Sequence, residues 1–232
     1  SACTAPTPIT ALTYTGEAQT LINAGTTDDG TMQYSTDGTH YGTTIPTGEN
    51  AGAYTVWYKV AGDGNHSDTT PESVGVTIAR KSVAVPAANP TQFNYSGEDQ
   101  TYTLAASGLY TVAGNVRKSA GTYTVTVTLK DTKNYVWSDN TDVAKTFDFV
   151  IAKAPVTVIV KDKSAYTYDA VPDLSKPEPD KDYTVSGLIG EDKLTTAPML
   201  KYAAAPDMNK TGETKIFAEG AEAGENYEIT YV

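Results

Sequence analysis

The phrase Ala-Gly-x-Tyr-Thr-Val occurs twice in this chain. It runs from Ala51 to Val56 inside NAGAYTVWYKVAGDGNH, and from Ala120 to Val125 inside SAGTYTVTVTLKDTKNY. Each copy continues into a polar stretch that ends on Asn and a ring, Asn65-His66 in the first and Asn134-Tyr135 in the second. A second phrase also recurs: LTYTGEAQT (Leu12 to Thr20) matches FNYSGEDQT (Phe93 to Thr101). A third recurs at the ends of the copies, where VGVTIARK (Val74 to Lys81) parallels DFVIAKA (Asp148 to Ala154). Internal repetition at this period constrains a fold more than composition does, because each copy must be one structural unit.

Within the copies, the apolar residues alternate. Tyr123, Val125, Val127 and Leu129 share one face of an extended segment, and Thr122, Thr124, Thr126 and Thr128 share the other. Period two predicts strands with one buried and one wet face. In the first copy Tyr54, Val56, Tyr58 and Val60 form the buried set, while Ala53, Thr55, Trp57 and Lys59 face outward. Gly52 and Gly121 stand where the chain bends or takes a positive φ. The repeated Tyr reads as a core residue with its hydroxyl at the rim. The Asn-ring pair reads as the closure of a strand-to-strand turn, with the ring packing back on the sheet.

The first copy carries extra residues around MQYSTDGTHYGTTIP (Met32 to Pro46). There Asp37-Gly38 between Tyr/Thr-rich arms predicts a type I′ hairpin. A more distant third copy ends in KTGETKIFAEGAEAGENYEITYV, with Gly212 and Asn226-Tyr227 spaced nearly as in the others. The reading is an all-β chain of three small domains, Ig-like β-sandwiches or β-grasp-like folds. They comprise residues 1–81 with the extra hairpin, 82–154 and 155–232, in an elongated rod. The third has a short helix or turn around Gly190–Leu194. Strands of this length span roughly 30 Å, and three domains end to end reach on the order of 100 Å.

Charge and chemistry narrow the function. The net charge is −11, with 17 Lys+Arg against 28 Asp+Glu. No basic stripe is present to track phosphates, so nucleic acid is not an expected partner. The same balance disfavours an anionic membrane surface, and no direct membrane insertion is expected. Catalysis finds no support. The two histidines are His40, after the hairpin turn, and His66, in the slot Tyr135 fills. No Ser elbow, paired Cys, metalloprotease motif or phosphate loop appears. The reading is not an enzyme, with no cofactor and no metal. Asp28 and Asp29, and Asp63, Asn65 and Asp68, supply oxygen in Gly-rich loops but lack a calcium-loop spacing. A Lys crosslink to an acid or Asn would need a buried Lys, and Lys59 and Lys130 sit beside strands with Lys59 turned outward. Cys3 excludes an intrachain disulfide. Ser1-Ala2-Cys3 resembles the tail of a lipobox, but the apolar residues expected upstream of one are not in the chain, and the favoured reading is a linker cysteine.

Two stretches resemble known families. YSTDGTHYGTTIPTGENAGAYTVWYKVAGDGNHSD looks like a repeat of large bacterial surface proteins. YTYDAVPDLSKPEPDKDYTVSGLIGEDKL with ENYEITYV resembles the MBG-type repeat. Tyr168, Asp169 and Pro172 match its first block, with Ala170 departing from it. Tyr183, Val185, Ser186, Gly187 and Leu188 match the second, and Asn226, Tyr227, Ile229 and Tyr231 the third. The resemblance implies an extracellular, cell-surface or adhesin-like protein and transfers no catalytic residues. Two functions stay open. One is a repeat stalk or display module, a monomer within a larger surface protein. The other is an adhesive module binding a host or dietary glycan or an extracellular protein through Trp57 with Tyr34 and Tyr41. Trp137 reads as packing at a domain end or interface.

Overall fold

The computed structural model of the chain describes residues 1–163, 171–207, 209–210 and 212–232. Tyr168, Asp169 and Ala170 lie outside the described residues. The described residues form strands, turns and irregular segments, with no helix among them. The Gly190–Leu194 stretch is therefore a turn, closed by the Asp192 N–H donating to the Ile189 carbonyl at 3.1 Å.

The chain divides into two compact units. One comprises Ser1–Ala87 with Ala106–Thr111 and Val127–Lys145. The other comprises Ala88–Ala105, Val112–Thr126 and Thr146–Val232. Neither boundary follows the repeat phrases: the second copy contributes residues to both units.

In the first unit, the strand Gly52–Ala61 pairs antiparallel with Glu72–Ala79 on one side and Thr31–Ser35 on the other. Leu12–Thr13 completes this four-stranded sheet, parallel to Glu72–Ala79. Three short pairs lie outside it: Cys3–Thr4 with Thr26–Thr27, Thr7–Pro8 with Ile22–Asn23, and Gln19–Thr20 with Thr47–Gly48. Leu21 and Ile22 from this second set pack with Tyr34, Val56, Tyr58, Val76 and Ile78 from the sheet, giving a sandwich-like core. The alternation in Gly52–Ala61 holds: Val56, Tyr58 and Val60 are buried, while Thr55 and Trp57 are exposed. Burying each of these aliphatic side chains contributes about 1.5–3 kcal/mol. Also in this unit, Lys81–Val83 runs parallel to Tyr135–Trp137. Trp137 is wholly buried against Tyr110, and its indole N–H donates to the Val143 carbonyl at 2.9 Å.

The extra hairpin differs from the expected turn. Gly38 takes a positive φ of 73°, but Asp37 is not among the residues with positive φ, so the turn is not type I′. The arms meet instead at the Tyr34–Gly42 bridge, leaving a longer loop. Side chains hold that loop. Ser35 Oγ accepts from the Asp37 and Gly38 N–H groups, and Asp37 Oδ1 accepts from those of Thr39 and His40. Short polar side chains compete here with a backbone turn and win.

In the second unit, Phe93–Asn94 pairs parallel with Lys145–Ala152, at Phe93↔Ile151. Ala154–Val160 sits between Tyr183–Ser186, antiparallel, and Tyr227–Tyr231, parallel. Met199–Tyr202 and Ile216–Glu219 form a separate antiparallel pair. One core joins Tyr95, Tyr102, Val125, Phe149 and Ile151 to Ala154, Val156 and Tyr227, across the sequence boundary at Ala154. A second small core holds Val158, Tyr183, Leu200 and Ala218.

Candidate functional site

Of the three aromatic residues singled out in the sequence, Trp57 lies on the outward face of Gly52–Ala61. Trp57 is 36 % exposed and sits across from Ser35 on one side and Ser73 on the other. The hairpin covers one edge of the indole: a Cβ on Gly38 would lie 3.3 Å from Trp57 Cε2 and Nε1. Two residues along, on the same face, the Lys59 ammonium lies 5.2 Å from the centroid of the Tyr41 ring and 3.0 Å from Asp68 Oδ2. That contact places a cation over a π face. Trp57, Lys59 and Tyr41 therefore form one row of partly open surface.

Tyr34 does not join that row. It is 4 % exposed, pairs directly with Tyr58 on the core face, and its hydroxyl accepts from the Gly25 N–H at 3.0 Å. Its ring has no free face to offer a ligand. Tyr58 is held from below: its hydroxyl donates to Glu72 Oε2 at 2.6 Å. That hydrogen bond, with burial, pushes the Tyr58 pKa up to about 12.

The acidic loops are internally engaged. Asp68 bonds Lys59 and the Gly62 N–H. Asp63 Oδ1 lies 2.7 Å from His66 Nδ1, and Asp29 lies 3.7 Å from His66 Nε2. Among the described residues, no group of three His, Cys, Asp or Glu side chains is arranged to hold a metal ion. Lys130 is exposed and donates to the Gly108 carbonyl. Cys3 is a free, exposed thiol. Two grooves, of about 430 and 340 Å³, are lined by residues of the second unit, one around Glu222–Tyr227 and one around Phe93–Tyr102.

The second arrangement was not anticipated. In the first unit, Asn134 is 5 % exposed and its Oδ1 accepts from the Ala51 N–H at 2.8 Å. Its Nδ2 donates to Asn50 Oδ1 and Asp131 Oδ2, and its backbone carbonyl accepts from Lys81 N–H at 2.8 Å. The adjacent Tyr135 ring meets Tyr14 edge-on, with centroids 5.4 Å apart at 83°. The Asn134 hydrogen bond holds the Asp131 carboxyl below its ordinary range.

The second unit repeats the two main-chain contacts and the ring pair. Asn226 Oδ1 accepts from Ala120 N–H at 2.8 Å, and its carbonyl accepts from Ala154 N–H at 2.9 Å. Tyr227 meets Tyr95 edge-on at 5.3 Å and 84°. The turns that present Ala51 and Ala120 also match. Gly52 and Gly121 take φ of 151° and 154°, and the Tyr54 and Tyr123 hydroxyls return to the carbonyls of Asn50 and Ser119. In the second unit Asp192 adds a carboxylate, accepting from both Tyr227 and Tyr95. Burial, and then that carboxylate, raise the pKa of Tyr95; burial, and then the hydrogen bond to Asp192, raise that of Tyr227.

The repeated Asn is thus a clasp between copies and not only the closure of its own turn. Its signal in the sequence was its recurrence; its partner, more than eighty residues away, left none.

Comparison of the sequence with protein-family models and with curated proteins gives no match.

Proposed function

We propose that this chain is a segment of a bacterial cell-surface or adhesin-like protein, serving as a tandem repeat stalk or display module of three Ig-like or MBG-type segments. The observation that supports the reading is a recurrent pairing. An early strand lies parallel to the strand that closes its copy twice, in Leu12–Thr13 with Glu72–Ala79 and Phe93–Asn94 with Lys145–Ala152, and the strand that opens a copy lies parallel to the one after its Asn-ring pair twice, in Lys81–Val83 with Tyr135–Trp137 and Ala154–Val160 with Tyr227–Tyr231. Pulling such a segment by its two ends drives the paired strands past each other. The slanted bonds of a parallel ladder then share the load and must break together, rather than unzip one at a time. A stalk needs that property; a protein that only folds does not. Thr-rich wet faces fit an exposed setting.

The test is to pull the single chain in a force spectrometer. Three force peaks are expected, each releasing on the order of 250 Å of contour for a segment of this size. Extension without peaks overturns the stalk. Two peaks matching the two compact units overturn the three-segment division.

The Trp57–Lys59–Tyr41 row favours a second reading, an adhesive module taking a glycan or extracellular protein. Exposed aromatic rings beside a cation are typical anchors. Saturable binding to mucin, matrix protein or a glycan panel that is lost in Trp57→Ala supports this reading. Binding unaffected by that change removes the site.

A further inference from the structure

The first two copies disagree at two positions of one sheet face. When the Ala-Gly-x-Tyr phrases and the closing-strand phrases are aligned, Trp57 corresponds to Thr126 and Gly75 to Asp148. A Thr and an Asp serve the second copy. The strand pattern therefore asks for neither a ring in the first place nor a bare backbone in the second.

In the first unit the two departures are neighbours. Trp57 pairs with Ser73 and Thr55 with Gly75, so Gly75 lies diagonal to the indole on the outward face. A Cβ on Gly75 would meet no atom within 4 Å. The covered edge of the indole is on the opposite side, where Cε2, Nε1 and Cδ1 lie 3.3 to 3.5 Å from a Cβ on Gly38. An open lane thus runs beside the ring and over Gly75, edged by Thr55, Ser73 and Thr77. All three are exposed, and among the described residues their hydroxyls have no hydrogen-bond partner in the chain.

The charged groups around the lane are already engaged. Lys59, next along the face, gives its ammonium to Asp68 at 3.0 Å. His40 lies 2.7 Å from Asp37, and Glu72 accepts from the Tyr58 hydroxyl at 2.6 Å. An anionic ligand would have to displace Asp68 to reach the ammonium. Trp57 is also the lane's one large apolar side chain, too little to seat the apolar core of a protein interface. What fits is neutral, dense in hydroxyls and apolar on one face.

We propose that this lane binds an uncharged polysaccharide. One pyranose lays its C–H face on the Trp57 indole, and the next lies over Gly75. The hydroxyls of Thr55, Ser73 and Thr77 bond those of the sugar and fix its orientation. The proposal rests on the adhesive reading of this surface and names the class of molecule it takes.

The test is affinity electrophoresis of the whole chain through gels that hold galactomannan, mixed-linkage β-glucan, xyloglucan or dextran. Polygalacturonate and hyaluronate serve as charged counterparts, and mucin and matrix proteins are presented separately on a surface. Retardation by at least one neutral polymer is expected. Trp57→Ala should lower that affinity at least about tenfold, the effect of losing a central anchor ring. Gly75→Gln fills the lane without touching the ring; it should weaken binding as much while its urea midpoint stays that of the parent. No retardation by any neutral polymer overturns the proposal, as does retardation that survives Trp57→Ala or Gly75→Gln. Binding only to mucin, matrix protein or a charged polymer, lost in Trp57→Ala, overturns it and leaves the adhesive reading standing. No binding to any probe overturns both.

Discussion

Replacing Asn134 by Ala removes three side-chain hydrogen bonds and leaves the Ala51 N–H, on a residue 8 % exposed, with no acceptor. An orphaned buried donor costs about 1–3 kcal/mol. The bond to Asp131 is charge-assisted but partly open to water, so it adds no more than about 1 kcal/mol. The bond to Asn50 is between neutral, half-buried amides and adds about 0.5 kcal/mol. The expected loss is roughly 2–4 kcal/mol, large against the 5–15 kcal/mol that holds a typical domain. The assay is urea unfolding followed by Trp137 fluorescence in a Trp57→Phe background, since Trp137 is wholly buried two residues beyond the clasp ring. The midpoint should fall with the slope unchanged. Asn134→Asp separates the hydrogen bond from mere volume. It keeps an acceptor for Ala51 but sets a second carboxylate beside Asp131, so it should be most destabilising near neutral pH and recover as acid protonates the pair. A loss below about 0.5 kcal/mol for Asn134→Ala would place the residue with ordinary surface substitutions and refute the clasp.

Three further outcomes follow from single contacts. Gly38→Ala forces a side chain into a positive-φ position and against the indole edge 3.3 Å away, so it should cost about 1–2 kcal/mol and shift Trp57 emission to the red as the hairpin lifts. Hydrogen bonds from Lys145 and then Thr141 hold Asp139 down at about 2, below its unfolded value near 3.9; this stabilisation is present above pH ~4 and is lost as pH falls through 2. Urea midpoints measured from pH 6 to 2 should show that loss, and Lys145→Met should flatten it. The Tyr58 pKa of about 12 works in the opposite direction: its stabilisation is complete below the unfolded value near 10 and is lost as pH rises through 12. Glu72→Gln should bring the ultraviolet titration of Tyr58 down towards ordinary tyrosines.

What could be read from the sequence was whatever repeats with a short period. Val125, Val127 and Leu129 alternate with threonines because a pleated strand has two faces, and the structure buries them as written. Trp57 was placed on the open face by the same count. Tyr34 was legible too, had its strand been registered: Met32 and Tyr34 alternate with Gln33 and Ser35, and Tyr34 lies opposite Tyr58. The Asp37-Gly38 turn misled because Ser35, two residues earlier, captures the backbone N–H groups that would have closed a two-residue hairpin. The Asn134 and Asn226 partners were hidden for a different reason. A side chain bonding a distant main-chain N–H demands nothing of the partner's residue type, so no pattern marks it. What marked it was the joint recurrence of Ala-Gly and Asn-ring, each previously given its own local explanation.

Those two phrases recur together because they are halves of one contact. An Ala-Gly turn at the start of a strand leaves a main-chain N–H pointing outward. Left to water it costs nothing, but once the Tyr14–Tyr135 or Tyr95–Tyr227 rings close beside it, water is displaced and the donor requires an acceptor. Asn supplies a neutral oxygen on a short stem, and its amide protons still satisfy the loop that carries it. Ala would leave the donor bare, and Asp would bring a charge into the same space. The compact units match this pairing. Each contains one complete clasp, Ala51 with Asn134 or Ala120 with Asn226. The second copy, which contributes one half to each clasp, is the one divided between them. Asn226→Ala tests this in the second unit, where it strips the acceptor from the partly buried Ala120 N–H. Its urea midpoint should fall by about 1–2 kcal/mol, the cost of an orphaned donor, and a loss below about 0.5 kcal/mol would place Asn226 with ordinary surface substitutions.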